Sequence, residues 1–436
     1  MQTLEDYLRQ DAERFPDKTA AVCGDEQVSY KQLYQRACER AATLPSGQII
    51  AFRASQDIDF LVTYFAIHLA GSVAAPLEKG TPQPLFDEIT ARLSPNTTPA
   101  GTADILYTTG TTGRSKGVVI SHSTIIADAE NLIEGQQFSH DLAFIISGPL
   151  NHIGSLSKIF PVVYLGATLI IIEGMKDINL FFQALDYPSS KMATFFVPAT
   201  IRMLIQFSAD RLASYAHKLD FIESGAAPLA HADMLRLCEL LPKTRLYNTY
   251  ASTETGIIST YNSNDGHCIP ACLGRPMSHS RITITPEGRI TCQGDTLMTG
   301  YLNEPELTAS ILYDDTIHTS DIGRLDEEGM LRLSGRENDV INVGGFKVAP
   351  TEVEDAAMAH PSVKDCICIS APHPITGHAL KLLVVPADGQ PLDKRSIAQF
   401  LKTRLESYKV PLLYEQIDAV KRTYNGKTDR KFYTTQ

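Results

Sequence analysis

Residues 107–117 read Tyr-Thr-Thr-Gly-Thr-Thr-Gly-Arg-Ser-Lys-Gly, with five consecutive Gly or Thr residues from Thr109 to Gly113. No other stretch limits the chain so strongly. Glycine lets a backbone curl until successive N–H groups converge, and such a concavity binds anions. The threonine hydroxyls add donors, and Lys116 adds a point charge. The stretch is not a GxxxxGK[ST] loop, because Gly117 follows Lys116 and the first glycine is misplaced. The residues alone leave two readings open: a phosphate cradle or a flexible polar surface turn.

The surroundings predict an α/β chain. Leu4, Tyr7, Leu8, Ala12 and Phe15 recur at helical spacing, and Pro16 ends that run. Ser29 and Gln32 form a capping-box pair before a second helix. Short apolar runs at Ile49–Phe52 and Ser72–Pro76 flank a helical pattern from Ile58 to His68. Further strand candidates are Ile105–Thr108, Leu142–Ser147, Thr168–Ile172, Thr194–Val197 and Phe221–Ser224, mostly separated by helical stretches. That alternation suggests layered sheets of parallel type. The apolar run Val162–Ile172 reads as buried strand and is too short to span a membrane. After about residue 270 short strands with glycine turns (RITITPEG, RITCQGD, MLRLSGR) suggest a meander or small barrel. A compact α+β segment follows, with Thr351 and Glu354 as another expected capping box. The expected division is a large domain over 1–337, itself of several parts, and a small C-terminal domain over 338–436.

Charge and composition exclude several classes. The 436 residues carry 39 basic and 50 acidic side chains, a net −11. That balance disfavours non-specific binding to nucleic acid or anionic membrane, which needs a basic field. The N-terminus MQTLEDYLRQDAERF lacks the basic and apolar regions of a signal peptide, so a cytoplasmic location is expected. Eight scattered cysteines do not form a disulfide framework. Cys366 and Cys368 alternate and are expected to share one strand face. His267, Cys268 and Cys272 lie close together but lack a CxxC pair, so they are read as packing residues.

Several stretches, in order, resemble the adenylate-forming superfamily, whose members include acyl- and aryl-CoA ligases, luciferases and adenylation domains of nonribosomal peptide synthetases. The 107–117 stretch resembles its phosphate loop, with Ser115 where Pro is usual and Thr109 where Ser is frequent. By that resemblance Thr108, Thr109, Gly110, Thr111, Thr112, Gly113 and Lys116 close over the ATP β- and γ-phosphates. SGAAPL at 224–229 resembles the adenine-pocket segment and implicates Gly225, Ala226 and Ala227. Residues 247–256, YNTYASTETG, resemble the YGxTE motif, with Ala251 where Gly is usual. The resemblance implies that Tyr250 stacks on adenine, Thr253 contacts phosphate and Glu254 helps hold Mg²⁺, a hard ion that suits carboxylate oxygen. Asp321 in HTSD resembles the ribose-binding aspartate of the TGD motif, with Ser320 in place of Gly. Arg336 is expected on a nucleotide phosphate, and Asn338 stands at the hinge position where Asp or Lys is usual. Lys427 in KRTYNGKTDRK matches the C-terminal catalytic lysine.

The implied chemistry has two halves. A carboxylate attacks the ATP α-phosphate, pyrophosphate departs, and the acyl-AMP then yields to a thiol. Lys427 and Mg²⁺ would offset the charge of two approaching anions while Lys116 and the loop hold pyrophosphate. Gly344, Gly345 and Lys347 match the loop that admits a pantetheine arm in the second half. In the family the small domain rotates between the halves, about a hinge expected at 336–340. PLNHIGS at 149–155 resembles a segment whose histidine borders the acid, which points to His152, Ile153, Gly154 and Ser155 together with Ala251 and Ile257. No Asp lies between Leu142 and Ile172 to pair with a substrate ammonium, so an aryl or alkyl acid is expected rather than an amino acid. The same stretch also looks like that of o-succinylbenzoate-CoA ligases. The expected function is therefore an ATP- and Mg²⁺-dependent acid–CoA ligase. The alternative is a free-standing adenylation enzyme that loads the phosphopantetheine of a carrier protein. Only thirty residues, Leu77 to Leu106, separate the Ala70–Gly71 region from the phosphate loop, a shorter segment than the family usually has.

Overall fold

The structure, a computed structural model, describes residues 2–93, 97–109, 115–343, 346–374, 377–387, 391–423 and 426–434. Five parallel strands make the centre of the larger sheet: Thr168–Ile171, Ala143–Ile146, Met192–Phe196, Leu219–Ser224 and Arg245–Ser252, in that spatial order. Thr168–Ile171, Ala143–Ile146 and Met192–Phe196 carry nearly continuous apolar runs, as strands covered on both faces require. Helices Ile178–Leu185, Pro198–Ser214 and His231–Leu240 make the crossovers. A smaller sheet runs Gly300–Tyr301, Ser115–Ser121, Thr102–Thr109, Val73–Glu78, Ile49–Ala54. The helix His122–Gln136 packs between the layers, with Ile125, Ala129 and Leu132 in the main core.

The expected early elements form. The first helix is Leu4–Arg14, and Ser29 caps the helix Tyr30–Ala41 through a reciprocal box with Gln32. The meander after residue 270 is also present. Strands Ser280–Ile284, Arg289–Gly294, Thr316–Leu325 and Leu331–Arg336 pair antiparallel and continue the large sheet through Cys272–Pro276. Gly274 makes that junction possible: its φ is +79° and a Cβ there would stand 1.9 Å from the Thr260 carbonyl oxygen. The C-terminal α+β unit has its own core of Ile341, Val353, Cys366, Cys368, Leu382, Ile397 and neighbours, so the two alternating cysteines do share the buried face. No described helix is long and apolar enough to cross a membrane.

Two local expectations fail. The start of Val162–Ile172 is helical, Ile159–Tyr164, and only Thr168–Ile171 is strand. Gly166, with φ +64°, breaks the run between them. Apolarity alone does not separate a buried helix from a buried strand. The capping box at Thr351 is not formed either. The helix Pro350–Met358 begins with proline at its first position, and Thr351 instead donates to the Ser334 carbonyl. Glu354 is drawn away to Arg430, 2.6 Å distant, and to the Cys368 amide.

The small unit is docked on the large one by charge. Asp365 stands between Arg202 of the helix Pro198–Ser214 (2.7 Å) and Arg422 (2.6 Å). Arg202 also pairs with Asp233 at 2.9 Å. Asp355 accepts from the backbone N–H of His231, the first residue of its helix, at 2.7 Å, where an anion is favoured. Asp365→Asn leaves two guanidiniums facing each other with one weak acceptor. The loss of charged hydrogen bonds costs about 1.5–3 kcal/mol. Small-angle scattering should show a larger radius of gyration for Asp365→Asn, and amide exchange at residues 426–434 should quicken.

Candidate active site

The motifs converge at the ends of the central parallel strands, where Lys427 of the C-terminal unit interacts electrostatically with His152, Arg336, Glu254 and Asp321. Each motif reaches that place for a local reason. The strand Leu219–Ser224 ends at Gly225, and Ala226 adopts a left-handed φ of +68°. A non-glycine residue held there stores strain, a frequent mark of a functional turn. A Cβ on Gly225 would lie 3.3 Å from the Phe195 ring and 3.4 Å from the Thr249 carbonyl oxygen, so the chain passes close here. Ala227 follows on the same exposed turn.

Thr253 and Glu254 sit at the tip of a tight turn between Arg245–Ser252 and Gly256–Asn262. Ser252 and Thr255 close it through reciprocal backbone–hydroxyl bonds of 3.1 and 3.0 Å. Gly256 has φ +67°, and a Cβ would meet the Thr296 carbonyl at 2.5 Å. Asp128, fully buried on the helix His122–Gln136, accepts from the Ile257 N–H at 2.7 Å and fixes the turn from below. Burial pushes its carboxyl up to about 7, held back by that amide. Tyr301 donates its hydroxyl to Glu254 Oε1 at 2.9 Å, and the Lys116 ammonium lies 5.1 Å from the Tyr301 ring centroid. The pairing of Tyr301 with Val118 brings these three together.

Asp321 is the electrostatic centre of the other wall. Tyr250 donates to its Oδ2 at 2.8 Å and Arg336 Nε to its Oδ1 at 3.0 Å. Strand pairing sets this arrangement, because Asp321 and Arg336 are register partners. Two oxygens with about four lone-pair sites still leave room for further donors. Asn338 lies in the single 3₁₀ turn Glu337–Asp339.

Lys427 enters from the C-terminal unit. Its hairpin is held by Thr423 N–H to Lys427 carbonyl (2.8 Å) and Gly426 N–H to Thr423 carbonyl (2.9 Å). Gly426, at φ +80°, approaches Val197 so closely that a Cβ would stand 2.9 Å from its methyl carbon. Three residues beyond Lys427, Arg430 anchors the segment on half-buried Glu354 at 2.6 Å. Protein packed around the cleft lowers the Lys427 pKa, with Arg336 adding to the effect and Glu254 and Asp321 opposing it. The residue itself remains solvent-exposed and is not sealed in a core. His152 is lowered to about 4, first by burial and then by the Lys427 charge.

His152 precedes the short helix Ile153–Leu156. A Cβ on Gly154 would lie 3.3 Å from the Phe195 ring, which is therefore flanked by both glycines, 154 and 225. Beneath it lies a sealed ion pair: the Lys158 ammonium is 2.8 and 2.7 Å from the Glu223 oxygens, both side chains 1% exposed. Ser155 is buried under Gly148, Ala251 packs against the main core, and Ile257 is inside that core at 1% exposure. Thr108 and Thr109 end one strand and Lys116 lies in the next. Gly110, Thr111, Thr112, Gly113, Gly344 and Gly345 lie outside the described residues; Lys347 lies on the strand Phe346–Val348. Tyr301, Asp128, Phe195, Lys158 and Arg430 carried no sequence signal, since each matters through a partner 40 or more residues distant.

The chain matches the AMP-binding enzyme family over residues 8–94 and 83–302, and the AMP-binding enzyme C-terminal domain over 352–427. It belongs to that family. The two pieces of the longer match overlap at 83–94, inside the shortened segment before the phosphate loop. A probable CoA ligase of Humulus lupulus is 24% identical over 503 aligned positions, covering 98% of this chain and 95% of the hop protein. That alignment is longer than the chain, so the hop protein carries stretches without a counterpart here. A feruloyl-CoA synthase of an Amycolatopsis species is 26% identical over 94% of both. The crystal structure of ATP-bound MatB from Rhodopseudomonas palustris shares the fold, with TM-score 0.86 and 23% identity over 99% of this chain and 98% of that one. The large α/β domain with a small C-terminal α+β domain is thus the architecture of the adenylate-forming superfamily.

The His152–Lys427 coupling has a measurable consequence. His152 binds a proton more weakly when folded than its ordinary value of 6.5, so its contribution to stability is present above pH 6.5 and is lost as pH falls toward about 4. In Lys427→Ala one of the two depressing causes is gone. An NMR titration of His152 should show a higher pKa in that variant, still below 6.5 because burial remains.

Proposed function

We propose that this protein activates an aryl or alkyl carboxylic acid as its acyl-AMP and passes the acyl group to the thiol of CoA, in the cytoplasm. One observation carries the reading. Lys427 of the C-terminal unit is brought into the same cleft as His152, Glu254, Asp321 and Arg336, which come from four separate segments. In this reading the Tyr250 ring receives adenine beside the Gly225–Ala227 turn, and Asp321 accepts the ribose hydroxyls. Arg336, Lys116, Thr253 and the 108–113 loop take phosphate oxygens. Lys427 lies between the acid and the α-phosphate, where it offsets the repulsion of two anions. Glu254 fits a magnesium ion: one oxygen is oriented by Tyr301, and no described residue bonds the other. Bound there, Mg²⁺ would supply charge neutralisation of the triphosphate. Neutral His152 borders the acid without adding a charge. The carboxylate oxygen displaces pyrophosphate from the α-phosphorus. The thiolate sulfur then displaces AMP from the acyl carbon, leaving a thioester.

The pocket chemistry favours an acid without an ammonium group. The carboxylate beside it, Glu223, is already neutralised by Lys158. A flat ring, Phe195, between Gly154 and Gly225 suits a planar aryl acid. A second acceptor, the phosphopantetheine of a carrier protein, is favoured by one feature. The small unit exposes Leu412 and Leu413 beside Lys381, Lys394 and Arg395, an apolar and basic face suited to an acidic helix.

The test is pyrophosphate release from ATP and Mg²⁺ against a panel of aryl, short-chain and long-chain acids, with CoA, with a carrier protein, and with neither. CoA-accelerated release with acyl-CoA as product supports the ligase. Acceleration by the carrier alone moves the acceptor to the second reading, and no release with any acid rejects both. Lys427→Ala should cut the adenylation rate by about 10²–10³-fold, while transfer from supplied acyl-AMP persists. Gly154→Ala, which crowds Phe195 at 3.3 Å, should raise KM for aryl acids more than for short alkyl acids.

A further inference from the structure

A second polar cluster lies away from the cleft. Glu5 sits in the first turn of the helix Leu4–Arg14, His68 near the end of Ile58–Leu69, and His122 opens His122–Gln136. One ligand atom of each residue lies within 4.8 Å of those of the other two. Their candidate atoms are Glu5 Oε2, His68 Nδ1 and His122 Nδ1. All three atoms are buried and none has a hydrogen-bond partner. The Glu5 Oε2 to His122 Nδ1 distance is 3.8 Å, beyond a hydrogen bond, and the two imidazoles meet edge to face with centroids 5.2 Å apart.

The state of His68 follows from its other nitrogen. Nε2 faces the Ala103 carbonyl at 3.2 Å and Asp104 Oδ1 at 3.0 Å. A carbonyl accepts only, so Nε2 carries a proton and Nδ1 is the ring atom left to ligate. Asp104 is itself fixed by the Tyr64 hydroxyl at 2.9 Å, and His68 and Asp104 side chains are both 0% exposed. Three polar atoms from three helices are therefore buried close together with no hydrogen bond made by any of them. Leaving such atoms unmatched is costly, and a cation removes the cost at once.

We propose that Glu5, His68 and His122 bind one divalent transition-metal ion, zinc in class, as a site separate from the nucleotide cleft. Two imidazoles and a carboxylate are a zinc donor set, whereas magnesium and calcium take oxygen ligands. Asp104 supplies the carboxylate behind a ligating histidine that orients the ring and raises its basicity. A tetrahedral ion at about 2.0–2.1 Å from each atom sets ligands about 3.4 Å apart, so binding draws the three atoms slightly together. Water completes the set. The site lies at the far end of the strand that leads to the phosphate loop: Asp104 precedes Thr109 by five residues, about 17 Å of extended chain. Its effect is structural, tying three helices of the large domain.

The experiment uses the full chain, purified without chelator, then stripped and back-titrated with Zn²⁺ or Mg²⁺. Metal analysis should find about one equivalent of zinc, as a preformed site requires. The melting temperature should fall on stripping and recover with Zn²⁺ but not Mg²⁺. Co²⁺ loading should give visible d–d absorption of a tetrahedral centre. His68→Leu should lose the equivalent of metal and the cobalt bands. Glu5→Gln, at a less buried position, should weaken zinc binding at least tenfold and reports the same answer where His68→Leu does not fold. No retained zinc and no thermal response in the wild type would overturn the site and leave a network held by protons. Zinc content unchanged in both variants would overturn it equally, placing the ion elsewhere.

Discussion

Charge brought together across a domain junction governs this structure. Lys427 and Arg336 are two cations in one cleft, and Asp321 and Glu254 are the anions that make their proximity tolerable. Packing around Lys427 lowers its pKa, and the Arg336 charge adds to that effect. The rest of the fold holds this arrangement open. Asp365 bridges Arg202 and Arg422, and Arg430 holds the lysine hairpin to Glu354. Sequence-distant ion pairs of this kind supply geometry more than stability, since their desolvation offsets much of their attraction.

The Glu254 turn shows how backbone and side chains share the work. Strand pairing brings Tyr301 beside Glu254, Gly256 permits the tight turn, and Asp128 receives the Ile257 amide from below. Each removes one freedom from the carboxylate. A carboxylate so held has its orientation set before any ligand arrives. The shortened segment before the phosphate loop spares all of this. Helix Gln83–Leu93 and the neighbouring parallel strand Val73–Glu78 still carry the chain to Thr102–Thr109.

Local patterns were legible wherever a period or a fixed dipeptide carries its own physics. The Ser29–Gln32 box, the strand candidates around Ile49, Thr168 and Phe221, and the order of the motifs all appear in the chain's linear text. Legibility stopped where a distant partner outweighs a local preference. Thr351 and Glu354 satisfy the capping pattern, yet Glu354 is claimed by Arg430, 76 residues later. Val162 reads as strand, yet Gly166 and the packing of Ile159–Tyr164 make it helix.

The sequence by itself determined the family and the alternation of helix and strand, because short motifs encode backbone conformation and charge directly. Only the tertiary structure decided which residues support them. Tyr301 on Glu254, Phe195 between two glycines, Lys158 on Glu223, and Glu5 with His68 and His122 each join segments with no common pattern. Burial is the physical reason. A polar side chain removed from water must find its partner wherever the fold places one, and no local period records that position.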